Sequence, residues 1–301
     1  MAGRGKIAPW LNNEGQRVRI QIEPGVRLFV DVEGPGLVPD GSGVREKPTL
    51  VLLHGGPGFD HVAFKPVFSR LADLAQIVYY DHRGHGMSDR RPPSEWTLDT
   101  WADDVVRLCD ALGIVKPIVL GQSFGGFVAQ RYIARHPAHA SKVILSSTAG
   151  SMAMPRKLAM FEQLGGAEAR TVAERFWADP SDENNAVYQR VCKPLYNPSL
   201  VGRVESAPWR FTAPEILQAF IRGEQRQMNL LPGLAAAQCP VLVLAGELDP
   251  VCPLEDAQDI AAALPAQWRQ FHSFPGIGHG AWREKPNEAF DVLRRFITDP
   301  A

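Results

Sequence analysis

The stretch that most restricts how this chain can fold runs from Ile118 to Gly126. An apolar run, Ile118-Val119-Leu120, leads into Gly121-Gln122-Ser123-Phe124-Gly125, and a helical pattern leaves over Phe127 to Arg135. A strand that turns abruptly into a helix forces its turn residue into a strained conformation. Side chains two positions to either side would collide there, so glycine is required at both. The same turn holds the Ser123 hydroxyl clear of a sheet, near a helix N-terminus whose dipole favours developing negative charge. Gly-x-Ser-x-Gly also occurs in ordinary loops. The strand before it and the helix after it make this instance specific.

Similar strands recur along the chain. Residues 17–32 alternate Val18, Ile20, Ile22 with Val26, Leu28, Val30 around Pro24-Gly25, the pattern of a β-hairpin. A Gly/Pro-rich connection, Glu33 to Lys47, follows. Continuous apolar runs at Thr49–Leu53, Ile77–Tyr80, Val143–Leu145 and Val241–Ala245 predict strands covered on both faces. A last strand is expected near Trp268 to Phe274, before a helix around Glu288 to Ile297. Between them, Leu98 to Leu112 presents Leu98, Trp101, Val105, Leu108, Cys109 and Leu112 on one helical face, with Thr97 as N-cap and Gly113 as C′ residue. Strands alternating with helices predict an α/β fold with a mostly parallel central sheet flanked by helices.

The long gap between strands, Ala149 to Gln238, carries helical patterns at Thr171 to Trp177 and Ser181 to Cys192. A capping box, Thr212-x-x-Glu215, opens onto Ile216, Leu217, Phe220 and Ile221. Residues 149–238 therefore read as a helical lid inserted between two parts of one core, 1–148 and 239–301. The alternative is a set of extra helices packed on the side of the sheet. The aromatic residues Trp96, Trp101, Phe176, Trp177 and Tyr188 read as core.

Composition narrows the function. A net charge of −1 with scattered Arg and Lys gives no electrostatic footprint for nucleic acid. Met1 to Asn12 has two basic residues but no apolar stretch of signal-peptide length, and no other run is long enough to span a membrane. Cys109, Cys192, Cys239 and Cys252 form neither a C-x-x-C pair nor a zinc spacing, so reduced thiols and a cytoplasmic location are expected. No pattern calls for a cofactor or a metal. His82 and His85 flank Arg83 at a spacing suggestive of ligands, but lack a companion carboxylate–histidine set.

A serine hydroxyl is a poor nucleophile until a base takes its proton, and the base needs a third group to fix its tautomer. Gly276-Ile277-Gly278-His279-Gly280, after the last strand, supplies the base as His279. Asp249, in Gly246-Glu247-Leu248-Asp249-Pro250 after strand 241–245, supplies the orienting acid, with Glu247 as its rival. The order Ser, Asp, His is the one that a nucleophile elbow produces. The backbone N–H of Phe124 and that of Gly56, in His54-Gly55-Gly56-Pro57-Gly58, are the expected oxyanion donors. His54 is expected to pack or hydrogen-bond beneath that loop. A phosphate cradle is the competing reading of the loop, but no Lys-Ser/Thr follows as in a P-loop.

These motifs resemble the α/β-hydrolase superfamily over nearly the whole chain. Within it, His54-Gly55-Gly56-Pro57-Gly58 and Asp81-His82-Arg83-Gly84-His85-Gly86 look like those of the proline iminopeptidase group. The resemblance implies a serine aminopeptidase that releases an N-terminal residue and uses lid carboxylates to hold the free amine. It assigns Ser123, Asp249 and His279 as triad and Gly56 and Phe124 as oxyanion donors. That group often has Gly-Gly-Ser-Trp/Tyr-Gly at the elbow, where this chain has Gly121-Gln122-Ser123-Phe124-Gly125. Glu174, Asp179, Asp182, Glu183, Glu215 and Glu224 are the available lid acids. The expected substrate is a small molecule or short peptide. A carboxylesterase or lactonase on the same site, and a non-catalytic small-ligand binder, remain open.

Overall fold

The computed structural model describes residues 18–200 and 213–299. Its first strands are β1 (Arg19–Glu23) and β2 (Val26–Glu33), the expected hairpin, followed by a small separate hairpin, β3 (Leu37–Asp40) and β4 (Gly43–Glu46). The second hairpin lies in the stretch expected to be a plain connection. Its strands are largely exposed, so no buried alternation marks it in the sequence.

The strands β5 (Thr49–Leu53), β6 (Gln76–Tyr80), β7 (Ile118–Gln122), β8 (Lys142–Ser146), β9 (Val241–Gly246) and β10 (Arg269–Phe274) complete an eight-stranded sheet. Its order is β1-β2-β6-β5-β7-β8-β9-β10; β2 pairs antiparallel with both β1 and β6, and β5 to β10 are mutually parallel. The apolar runs explain why. In β5, Leu50 and Leu52 join one core cluster while Val51 and Leu53 join the other, and β7, β8 and β9 divide the same way. Strands buried on both faces need a helical layer on each side, which parallel crossovers provide.

The helices are α1 (Leu98–Leu112), α2 (Phe124–Arg135), α3 (Met154–Ala178), α4 (Asp182–Val191), α5 (Pro214–Arg222), α6 (Leu254–Ala263), α7 (Ala281–Glu284) and α8 (Pro286–Thr298). Helix α1 has the expected ends: the Thr97 hydroxyl accepts from the Thr100 N–H at 3.1 Å, and Gly113 closes the helix at φ 69°. Such an N-cap is worth about 1 kcal/mol. Helix α2 starts three residues earlier than its apolar pattern, directly after Ser123.

The described residues of 149–238 form α3, α4, α5 and short 3₁₀ turns between β8 and β9. An isolated antiparallel bridge, Ser151 to Asn229, ties the two ends of the segment together. Helix α3 is longer than its sequence pattern and kinks at Gly166, where φ is 71°. Of the expected capping box, Thr212 lies outside the described residues. Helix α5 begins at Pro214 with Ala213 as its N-cap and no side-chain cap. Proline at the first helical position supplies a preset φ instead. No described helix is long and apolar enough to cross a membrane.

Candidate active site

All six parallel strands end on one edge of the sheet, and the sequence-predicted site residues gather there. Ser123 follows β7 at φ 55° and ψ −117°, a conformation costly for a non-glycine residue and held by its surroundings. Its glycines are needed for space. A Cβ on Gly121 would lie 2.3 Å from the Gly125 carbonyl oxygen, and one on Gly125 would lie 2.1 Å from that of Leu53. The Ser123 N–H donates to Ser146 on β8 at 2.9 Å, and the Ser123 carbonyl accepts from the Thr148 hydroxyl at 2.8 Å. These bonds anchor the turn to the neighbouring strand.

His279 and Asp249 meet from separate loops. The imidazole Nδ1 lies 2.7 Å from Asp249 Oδ2, while Asp249 Oδ1 accepts from the N–H groups of Val251 and Cys252 at 2.8 and 2.9 Å. The Asp249 side chain is fully buried, so three donors on its two oxygens offset its desolvation. An ionised carboxylate only accepts, so His279 Nδ1 carries the proton and Nε2 is the basic nitrogen. The rival Glu247 points elsewhere and accepts from the Ser273 hydroxyl at 2.9 Å. Cys252 Sγ is near the pair: one ligand atom each from Asp249, Cys252 and His279 all lie within 4.8 Å of one another. Burial pushes the Cys252 thiol well above its usual pKa, so it stays a neutral thiol beside them.

Supports for the histidine escaped the sequence reading. The His279 N–H donates to the Tyr196 carbonyl at 2.6 Å. Asn197 Nδ2 donates both to the His279 carbonyl and to Glu284 Oε1, each at 3.0 Å. Glu284 Oε1 also accepts from the Gly278 N–H at 2.7 Å, and the Ser147 hydroxyl accepts from the Gly280 N–H at 2.9 Å. These partners come from the residue after β8, the inserted segment and α7. Nothing in their local sequence announces them, because their role exists only once those elements meet.

The loop after β5 faces Ser123. A Cβ on Gly55 would lie 3.4 Å from Ser123 Cβ, and Gly56, at φ 133°, lines the same cavity as the serine. Beneath the loop, His54 bonds through both nitrogens. Nε2 accepts from the His82 N–H at 3.1 Å, so Nδ1 carries the proton and donates to the Gly55 carbonyl at 2.8 Å. His54, His82 and His85 form a buried cluster against Phe124. Burial lowers all three: His54 to about 4, His85 to about 3, and His82 well below the usual range. Asp81 accepts from the His61 N–H and Nδ1 and from the Met87 N–H. Burial is the largest single influence and would raise its pKa, but His61, His54 and the Met87 N–H together outweigh it and hold the carboxyl below its usual range.

Ser123 and His279 open into one cavity of about 70 Å³. Its far wall comes from the inserted segment: Phe176, Trp177, Tyr188, Gln189, Lys193, Tyr196 and Leu217. Three aromatics expected to be plain core thus also form wall, whereas Trp96 and Trp101 do not reach the cavity. The phenols of Tyr188 and Tyr196 share a hydrogen bond at 2.9 Å, and burial raises both pKa values, so this wall carries no phenolate. None of the six acids considered for amine binding lines the cavity. Asp179 pairs with Arg222, Asp182 accepts from Gln218, and Glu224 accepts from the Leu98 N–H.

This arrangement puts a serine hydroxyl and an imidazole oriented by a buried carboxylate on the wall of one cavity. The alpha/beta hydrolase fold family matches residues 48–286, well over half the chain. The chain belongs to that family. It is a hydrolase of the superfamily and resembles its proline iminopeptidases. It is 29% identical over 247 residues to proline iminopeptidase PfmaB of Pestalotiopsis fici, covering 78% of this chain and 87% of that protein. The crystal structure of a Mycobacterium smegmatis proline iminopeptidase superposes with a TM-score of 0.72 at 24% identity, covering 94% of this chain and 97% of that one. A thermophilic esterase from Thermogutta terrifontis superposes with a TM-score of 0.68 at 25% identity, covering 94% and 98%.

Proposed function

We propose that this hydrolase acts through an acyl-enzyme on Ser123, without a cofactor, on a small amide or ester. One observation carries the reading: Ser123 sits in a strained strand–helix turn and opens into the same cavity as His279, whose Nδ1 bonds to the buried Asp249. Ser123 Oγ attacks the acyl carbon while His279 Nε2 takes its proton, and Asp249 stabilises the imidazolium. The N–H groups of Gly56 and Phe124 receive the oxyanion. Phe124 opens α2, where the N–H has no intrahelical partner. The imidazolium then protonates the leaving group, and water, deprotonated by the same imidazole, releases the acid.

Residues 149–238 serve as the lid, a role supported by the seven cavity-lining side chains they contribute. The kinship with proline iminopeptidases supports an aminopeptidase that needs a free amino terminus. The cavity wall supports ester or lactone cleavage as a second reading, because no Asp or Glu among the described residues lines it to hold an amine. Four buried cysteines, all outside disulfides, support a cytoplasmic location. A rate panel of prolyl and alanyl arylamides, p-nitrophenyl esters and a lactone separates the substrate readings. Arylamide cleavage that requires a free amine establishes the peptidase. Ester or lactone turnover without it establishes the second reading. No turnover of any of them, with no burst on fast mixing, contradicts the acyl-enzyme.

A further inference from the structure

Two phenols on the wall of the Ser123 cavity hold one proton more than the protein uses. Tyr188, on α4, and Tyr196, at the end of the 3₁₀ turn Lys193–Tyr196, both line the cavity, and their hydroxyl oxygens lie 2.9 Å apart. Burial keeps both phenols protonated, so the pair has two O–H protons. One makes the bond between them. Neither hydroxyl donates to anything else among the described residues. The surroundings decide which phenol keeps the second proton. Tyr188 is only 1% exposed. Beside its hydroxyl stand the Trp177 indole N–H, which donates only and completes no bond, and the Cys192 thiol, bonded to the Ala169 carbonyl at 3.4 Å. A Tyr188 proton turned away from Tyr196 would be buried without an oxygen acceptor, which is costly. Tyr188 therefore donates and Tyr196 accepts, and of the two only Tyr196 retains exposure. Accepting that bond also strengthens Tyr196 as a donor. Tyr196 is close to the base as well: its ring meets the His279 ring edge-on at 5.4 Å, and its carbonyl accepts the His279 N–H at 2.6 Å.

We propose that the Tyr196 hydroxyl is a specificity donor: its proton points into the cavity and holds an oxygen acceptor of the substrate while the acyl carbon lies at Ser123. The acceptor is an ether, ester or amide oxygen near the scissile group, on its acyl or its leaving side. The position of the acyl carbon rests on the serine-hydrolase reading above; the direction of the Tyr196 proton does not. A site that presents a buried donor discriminates against a substrate with a methylene in the acceptor's place.

Two pairs of esters that differ only by an oxygen in place of a methylene test it. On the acyl side the pair is p-nitrophenyl methoxyacetate and p-nitrophenyl butyrate; on the leaving side it is 2-methoxyethyl butyrate and butyl butyrate. Their kcat/KM is measured on wild type and Tyr196→Phe, and their dissociation constants by calorimetry on Ser123→Ala with and without Tyr196→Phe. Removing the hydroxyl should lower kcat/KM and affinity about tenfold for the ether member of at least one pair, and change its methylene partner little. Tyr188→Phe leaves the Tyr196 proton in place and should keep most of that difference. Tyr188→Phe/Tyr196→Phe leaves no buried phenol proton without an acceptor and should lose the difference as Tyr196→Phe does, which covers any unfolding of the single variant. Equal losses for both members of both pairs, as a merely structural role would give, overturn the proposal, and so does loss of the difference in Tyr188→Phe. A difference seen in binding without wild-type turnover sustains the donor and defeats the hydrolase reading. Turnover of both pairs with equal losses does the reverse.

Discussion

The buried histidines under the loop after β5 make the protein's stability depend on pH in a way that one substitution can isolate. His85 is fully buried, its Nδ1 bonded to the Arg83 carbonyl at 3.0 Å, and burial lowers its pKa to about 3. In the unfolded chain an imidazole titrates near about 6.5. The folded-state value is therefore depressed: the unfolded state binds the proton first. Stability from keeping His85 neutral is complete above about pH 6.5 and is lost as pH falls toward about 3. Integrating the linkage between pH 7 and pH 5 gives a loss of about 2 kcal/mol for this one side chain. His54, lowered to about 4, adds a similar loss, and His82 acts in the same direction. His85→Asn removes one titrating group and keeps a donor for the Arg83 carbonyl. Urea unfolding of both proteins at half-unit steps from pH 7 to pH 5 should find the variant less stable at pH 7. Their difference should then narrow by about 2 kcal/mol at pH 5. Parallel stability curves would refute the reasoning, because His85 would then titrate alike in the folded and unfolded states.

Three further outcomes are expected. Gly125→Ala drives a methyl group into the Leu53 carbonyl and should cost about 3 kcal/mol or more, read as a lowered urea midpoint with an unchanged slope. Asn197→Ala removes the bond that holds the His279 carbonyl and should lower kcat about tenfold to a hundredfold with little change in KM, checked by steady-state kinetics. Lys157 is buried and its ammonium donates to the Val251 carbonyl, in the loop whose N–H groups hold Asp249. Lys157→Met should therefore cost about 1–3 kcal/mol by urea unfolding and depress kcat as well.

How much of this was legible in the sequence depended on whether a residue's role is local. The elbow was readable because steric demand fixes Gly121, Ser123 and Gly125 relative to one another within five residues. Helix α1 was readable because Thr97 and Gly113 cap it with their own atoms and backbone. By contrast, α6 escaped notice, though its buried face packs beside β9, because Leu254 to Ala263 is short and rich in alanine and acid. The exposed β3–β4 hairpin carried no alternation. Phe176, Trp177 and Tyr188 bear the same helical signal whether they face a core or a cavity. Asn197 and Glu284 gain their meaning only when the inserted segment reaches the His279 loop. Asp249 kept Glu247 as a rival in the sequence, because both lie between Ser123 and His279, and burial with three donors supplies the physical distinction.

The central claim is that Ser123 forms the covalent bond. Treating the wild type and Ser123→Ala with a fluorophosphonate, then mapping the adduct by peptide mass spectrometry, tests this most directly. One adduct on Ser123 in the wild type, and none in a variant that unfolds at the same urea concentration, is the expected result. Equal labelling of both proteins, or an adduct on another residue, would contradict the account.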